Sequence, residues 1–209
     1  IESNARESEQ ARLREASQSI ATALERRSQD FSSYLRAGAA LFSTTQSVEL
    51  DTFSQFVSEL RLDVEYRGSE GLGWITVLPP GQVSGFLVRQ REEQPEFPDI
   101  RPSSVPSNTD GVLAPVTYFR PDTARNRSAL GFDMYSDPAR SEAMGVALRT
   151  VQPTASARIV LAQEGKGETP GFVIFMPVFR KVEGGSSVDR ALAGFIYSHF
   201  EAERFLDAE

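Results

Sequence analysis

The sequence predicts an α+β fold in which a long N-terminal helix precedes a series of antiparallel strands. Apolar residues recur with a helical period through residues 1–43. From Gly68 onward, short apolar runs alternate with turns rich in glycine and proline, which is typical of strands. The last two runs, 171–179 and 191–200, flank a polar Gly-Gly-Ser-Ser loop and therefore predict an antiparallel hairpin.

Composition indicates a folded domain and excludes several functions. The 209 residues are 40% hydrophobic and include 14 phenylalanines, which is enough for a substantial core. A net charge of −7 argues against nucleic acid as a partner. The lack of cysteine excludes disulfides and thiolate-ligated zinc. The chain opens inside a polar helical pattern and holds no apolar run of membrane-spanning length, so we expect an excised piece of a longer protein.

Two apolar rows follow the N-terminal helix and predict a stripe along one side of it. The first row has sevenfold spacing and consists of Leu13, Ile20, Tyr34 and Leu41. The second row lies four residues further on and consists of Ser17, Leu24, Phe31 and Gly38. Such a stripe packs either against the core of its own domain or against a second copy in a parallel homodimer. Both interpretations stay open at this point.

A second helix is predicted over residues 48–62, with Ser47 as its N-cap. A strand over 72–78 ends at a Pro-Pro-Gly turn, and a short helix over 82–93 has Phe86 and Leu87 as its apolar anchors.

The remaining elements follow the same signals of period and turn residues. A helix is predicted from 136 to about 150, because Pro138 lies just inside its start. The last nine residues are typical of the beginning of another helix. Strands are predicted at 112–119, 157–161, 171–179 and 191–200.

No catalytic or metal-binding motif is present, so we expect no enzyme activity and no cofactor or metal. The single histidine, His199, lies inside a predicted strand between aromatic residues, where a structural role is the ordinary one. The sequence contains no nucleophile elbow, phosphate-binding loop or zinc-protease motif.

The strand over 112–119 offers one face to a candidate pocket. Alternation places Leu113, Pro115, Thr117 and Phe119 on that face. The only tryptophan, Trp74, lies on the preceding strand, and apolar strands with a few polar groups are typical of small-molecule sites. Packing in an ordinary core is the alternative for each aromatic residue.

Several ordered motifs resemble the CHASE domain family. They are Gly73-Trp74, Ala114–Tyr118, Asn126–Asp133 and Gly171–Phe179, with Gly194-Phe195 near the end. The family supplies extracytoplasmic sensors of membrane receptors, including the cytokinin-receptor histidine kinases. The resemblance implies two PAS-like antiparallel sheets after the long helix, a homodimer through that helix, and transmembrane helices on either side. It also implies a histidine kinase or nucleotide cyclase module elsewhere in the receptor.

The resemblance divides the chain into a helical stalk over 1–63, a membrane-distal PAS-like subdomain over 64–135 and a membrane-proximal one over 136–209. Aligned on Ala114, Gly111 takes the place of an aspartate that holds adenine in cytokinin receptors, and Asp110 lies one residue earlier. Phe132 matches a leucine that meets adenine through its backbone. The predicted ligand-binding residues are Trp74, Asp110, Gly111, Leu113, Pro115, Thr117, Phe119, Phe132 and Met134.

The leading hypothesis is a periplasmic ligand-sensing domain of a transmembrane receptor. Its ligand would be a small apolar or aromatic molecule, with an adenine type as one candidate, bound in the membrane-distal sheet. A ligand-free dimerisation module is the alternative. A secreted hydrolase ranks third, because no catalytic set supports it.

Overall fold

The computed structural model describes residues 29–62, 69–102, 111–162, 168–182 and 189–201, and residues 12, 26 and 205 singly. Within these ranges the fold is α+β, as the sequence predicts, and helices cover both faces of an antiparallel sheet. The predicted helix over 1–43 is described as helical over 29–43, and most of its earlier part lies outside the described residues.

The elements follow the predicted order closely. The helices are α1 (29–43), α2 (Leu50–Glu59), α3 (Val83–Glu93), α4 (Ala124–Arg127) and α5 (Pro138–Thr150), with a 3-10 turn at Met134–Ser136. The strands are β1 (Ser69–Thr76), β2 (Val116–Arg120), β3 (Thr154–Ala155), β4 (Ile159–Ala162), β5 (Glu168–Lys181) and β6 (Arg190–Glu201). The hairpin of β5 and β6 is antiparallel, as expected.

The described strands form one sheet where two were expected. Its order is β2-β1-β6-β5-β3, and β4 pairs with β5. One edge of β1 pairs with β2, whereas the other pairs with β6, so Trp74 lies opposite both Tyr118 and Ile196. The two predicted subdomains are therefore joined by backbone hydrogen bonds, because the free edge of β1 is completed by the last strand. The division at residue 135 stays a prediction.

Helices α1 and α2 pack on one face of the sheet and form the α1–α2 core. From α1 this core takes Phe31, Leu35, Ala39 and Phe42, which repeat with a helical period. Gly38 permits the close approach, since a Cβ atom there would lie 2.4 Å from the Ile196 side chain. Phe31 and Gly38, the described members of the second row, thus pack against their own domain, whereas Leu41 of the first row is 40% exposed.

Helix α5 covers the opposite face and forms the α5 core, through Ala143, Met144 and Ala147. Pro138 occupies the first turn, as the sequence predicts. The Asp137 carboxylate caps the helix by accepting a hydrogen bond of 2.9 Å from the Arg140 backbone N–H.

The start of α2 differs from the prediction. Its N-cap residue is Glu49 rather than Ser47, and no side chain of the cap accepts a hydrogen bond from the helix. The Leu50 N–H instead donates to the Glu93 carboxylate of α3 at 3.2 Å. A free N–H of one helix is therefore satisfied by a second helix, which joins α2 to α3.

Candidate functional site

A cavity of about 570 Å³ lies where the start of α2 and helix α3 meet the sheet. Its volume is within the range of small-molecule sites, which is about 300–1,000 Å³. The lining residues are Ser47, Val48, Glu49, Trp74, Thr76, Phe86, Arg89, Gln90, Glu92, Glu93, Thr117, Tyr118, Arg180 and Ala193.

Trp74 forms a rigid aromatic wall of the cavity. A Cβ atom at Gly194 would lie 2.7 Å from Trp74 Cζ2, so the indole ring packs directly on the backbone of β6. Behind it, the Phe42 ring contacts the indole edge-on, with 5.8 Å between ring centroids. Only 3% of Trp74 is exposed, and its orientation is therefore set by packing on several sides.

Helix α3 is anchored above the sheet, and the side that carries Phe86, Gln90 and Glu93 lines the cavity. Phe86 packs edge-on against Phe97 at 5.8 Å, in a small cluster that includes Leu78. At the end of the helix, Gln94 Nε2 donates to the Thr117 carbonyl at 3.1 Å. The predicted anchor Phe86 is confirmed as buried.

At one end of the cavity, a hydrogen bond joins Tyr118 to Glu93. The Tyr118 hydroxyl donates to Glu93 Oε2 at 2.5 Å, while Glu93 Oε1 accepts the Leu50 N–H. Burial first, and then the Glu93 carboxylate, raise the pKa of Tyr118 far above its usual range. The phenol therefore stays neutral and keeps donating. Glu93 binds two neighbouring elements, α2 and β2, to its own helix.

Gln90 lies one turn earlier on α3 and is only 5% exposed. Its amide is near enough to lower the pKa of Tyr118 slightly, in opposition to burial and Glu93. Its Nε2 nevertheless makes no hydrogen bond of normal geometry to any described residue. A buried donor without an acceptor lowers the stability of the fold by about 1–3 kcal/mol. An acceptor on a molecule in the cavity would remove this cost.

A β-bulge sets which residues of β2 reach the cavity. Trp74 pairs with Tyr118 and Ile75 pairs with Val116, which leaves Thr117 as the extra residue. Thr117 and Tyr118 consequently both line the cavity. The Thr117 hydroxyl also bonds the Thr76 hydroxyl at 2.7 Å.

Arg180 supplies the most buried cation of the cavity wall. Its Nε donates to the Phe42 carbonyl at 3.3 Å. Its Nη2 is buried without an acceptor among the described residues. Burial lowers the pKa of this guanidinium, as expected for a cation withdrawn from water.

The structure brings together only part of the predicted site. Trp74 and Thr117 line the cavity. Phe119, Phe132 and Met134 belong to the α5 core on the opposite face of the sheet. The predicted alternation over 113–119 fails at Thr117, because a one-residue bulge moves every later side chain to the other face.

The other predicted residues either lie away from the cavity or fall outside the described residues. Leu113 packs beside α3 against the Leu78 cluster, and Pro115 forms an isolated bridge with Asp133. Gly111 is exposed and has a φ of +78°, which glycine adopts without strain. Asp110 lies outside the described residues. The role of these residues in ligand binding stays a prediction.

The sequence analysis missed most polar residues of the cavity, among them Gln90, Glu93, Tyr118 and Arg180. The helix over 82–93 was predicted correctly, but only its apolar residues were considered. Gln90 and Glu93 lie four and seven residues after Phe86 and therefore share its helix face, which was the available signal. Nothing in the sequence near Arg180 indicates its place, because Arg180 comes from the far strand β5.

The described part of the chain contains no group of three histidine or acidic residues able to hold a metal ion. Among the same residues, no helix is long and apolar enough to cross a membrane.

A cavity of this size beside the sheet of an α+β domain has room for a small molecule. The CHASE domain family matches residues 46–209, which is most of the chain. The chain therefore belongs to the CHASE domain family, whose members are extracellular sensor domains of receptors. No curated protein matches the chain.

Proposed function

We propose that this chain is the periplasmic ligand-sensing domain of a transmembrane signalling receptor of the histidine kinase or nucleotide cyclase type. Its ligand is a small molecule with an apolar or aromatic body, bound in the cavity between α3 and the sheet. The observation that carries this proposal is a cavity of about 570 Å³ whose wall combines Trp74 with two donors, on Gln90 and Arg180, that have no acceptor among the described residues.

The cavity includes Trp74 and Thr117 of the predicted site but not Leu113 and Phe119. A planar ring fits beside Trp74, because offset stacking and edge-on contacts favour aromatic ligands. An adenine-type ring remains one candidate for this position. Neither a cofactor nor a metal is part of the proposal.

Two side chains of the cavity wall form hydrogen bonds to helix ends and so connect the cavity to α1 and α2. Arg180 bonds the Phe42 carbonyl near the end of α1, and Glu93 bonds the first N–H of α2. A ligand that attracts either side chain changes its bond to a helix end. We therefore propose that ligand binding shifts α1 relative to the sheet and relays the signal along the stalk.

Filling the cavity should abolish ligand binding. Ala193 lines the cavity, so Ala193→Phe is expected to occupy its volume. A thermal-shift screen of adenine derivatives, small aromatics, amino acids and organic acids supplies the ligand. At a concentration of one hundred times the dissociation constant, a ligand stabilises the fold by about 2.7 kcal/mol. The ligand should stabilise wild type by this amount, whereas it should not stabilise Ala193→Phe.

Val88→Phe is the matched control, since Val88 lies on α3 but is 62% exposed. This variant should bind like wild type. Equal stabilisation of Ala193→Phe and wild type by the same compound would place the binding site elsewhere.

We further propose a parallel homodimer through the N-terminal helix, with the seam on the row that contains Leu41. Phe31 is 2% exposed and packs on Phe200, so its row faces the domain. In the full-length receptor, a cysteine at position 41 should cross-link to its twin. Cysteines at Phe31 and at the exposed Arg36 should not. Equal cross-linking at positions 36 and 41 would contradict this seam.

A further inference from the structure

We infer that the ligand carries a carboxylate and that Arg180 binds it. This inference rests on the proposed function, because it names the chemical class that the same cavity selects. Its basis is an unbalanced charge: Arg180 is a half-buried guanidinium that lines the cavity and has no carboxylate partner among the described residues.

Two of the other three half-buried arginines in the described ranges have such a partner, whereas Arg120 donates to the Ser54 hydroxyl and the Phe119 carbonyl. Arg140 pairs with Asp137 at 3.0 Å, and Arg125 pairs with Glu201. At Arg140, the Asp137 carboxylate partly offsets the effect of burial on the pKa. At Arg180, burial alone lowers the pKa, and no carboxylate opposes it.

The hydrogen bonds of Arg180 do not replace the missing charge. Its Nε bond to the Phe42 carbonyl is long, at 3.3 Å, and the acceptor is neutral. Its Nη2 is withdrawn from solvent without any acceptor among the described residues. Buried cations are ordinarily paired, because desolvation without a counter-charge is costly. An anionic group in the cavity would supply that counter-charge.

Three acidic residues line the cavity: Glu92 is exposed, and the other two bond elsewhere. Glu93 accepts from the Leu50 N–H and from the Tyr118 hydroxyl. Glu49 is near the Ser47 hydroxyl, at 3.4 Å, and its charge raises the pKa of Tyr118. These two carboxylates therefore gather at the tyrosine, and no carboxylate of the described residues pairs with Arg180.

The side chains of the cavity wall favour a ligand in which a carboxylate is attached to an aromatic or apolar group. A guanidinium binds a carboxylate through two parallel hydrogen bonds, which a neutral amide or an amine cannot accept in the same way. Gln90 adds a second donor without an acceptor, and Trp74 offers the aromatic wall. The expected ligand class is an aryl or arylalkyl carboxylic acid.

The test compares matched pairs of probes by thermal shift and calorimetry on the intact domain. Benzoate, phenylacetate and naphthoate are each paired with the corresponding amide, and adenine serves as the neutral heterocycle. The proteins are wild type, Arg180→Gln, Arg180→Lys and Ala193→Phe. Arg180→Gln removes the charge but keeps an amide that can donate to the Phe42 carbonyl.

We expect at least one acid to bind wild type about ten- to a hundredfold more tightly than its amide, as for a charged hydrogen bond. Arg180→Gln should lose that preference for the acid, and Arg180→Lys should retain part of it. Ala193→Phe should bind neither probe of the pair.

Two different failures are distinguishable. If amides or adenine stabilise wild type as well as the acids do, and Ala193→Phe abolishes that effect, the cavity is the site but the carboxylate inference is overturned. If an acid binds wild type, Arg180→Gln and Ala193→Phe equally, both the inference and the proposed site are overturned. A lack of any acid binding also overturns the inference.

Discussion

Replacing Phe42 by alanine should lower the free energy of unfolding by about 3–5 kcal/mol, as for other fully buried phenylalanines. Phe42 is 0% exposed in the α1–α2 core. Its ring packs against Phe53 at 5.8 Å, Phe56 at 5.4 Å and Trp74 at 5.8 Å. The loss combines the removed apolar surface with the cavity that three rigid neighbours cannot fill.

Chemical denaturation followed by fluorescence measures this effect directly, because Trp74 is the only tryptophan in the chain. Leu41→Ala is the matched control on the adjacent position, since Leu41 is 40% exposed. We expect the control to change stability by about 0.5 kcal/mol or less. Similar losses in both variants would contradict the packing of α1 on the sheet.

The second large effect concerns Asp133, which is 4% exposed. Its Oδ1 accepts the Ala114 N–H at 2.8 Å and the Tyr135 N–H at 3.2 Å. Asp133→Ala leaves both donors unpaired and should cost about 2–6 kcal/mol, at about 1–3 kcal/mol for each unpaired group. Asp133→Asn keeps an oxygen acceptor of the same shape and should cost less than about 1 kcal/mol.

The pH dependence of Asp133 distinguishes it from an ordinary surface acid. Burial raises the pKa of Asp133 above its usual value of 3.8, and the two backbone hydrogen bonds offset this only in part. The folded state then holds the proton more tightly than the unfolded state. The contribution of this group to stability is therefore largest below pH 3.8 and falls as the pH rises through the folded pKa.

The comparison of wild type with Asp133→Asn isolates this contribution, because all other titrating groups are shared. The stability of wild type relative to the asparagine variant should fall as the pH rises from the acid range. A difference that stays constant with pH, or that rises, would mean that the carboxyl is not desolvated in the folded protein.

The local elements were predictable because each depends on residues close in sequence. The helical period of residues 31–42 reports a buried face, and the structure shows that face in the α1–α2 core. Pro138 fixed the start of α5, and the Gly-Gly-Ser-Ser loop indicated the hairpin of β5 and β6. The ordered motifs also predicted the CHASE family correctly.

The pairing of strands was not predictable in the same way. Each edge of β1 can form hydrogen bonds with a neighbouring strand. The sequence of β1 does not indicate which strand pairs with its second edge. That choice depends on packing among residues far apart in the chain. The structure uses β6, and one sheet therefore forms where two were expected.

By itself, the sequence determined the α+β class, most of the helices and strands, and the family. Only the tertiary structure decided which residues form the cavity wall. The bulge at Thr117 moves Phe119 to the far side of the sheet, because each residue added to a strand reverses its faces. Arg180 reaches the cavity from β5, and its missing counter-charge appears only when distant residues are in place.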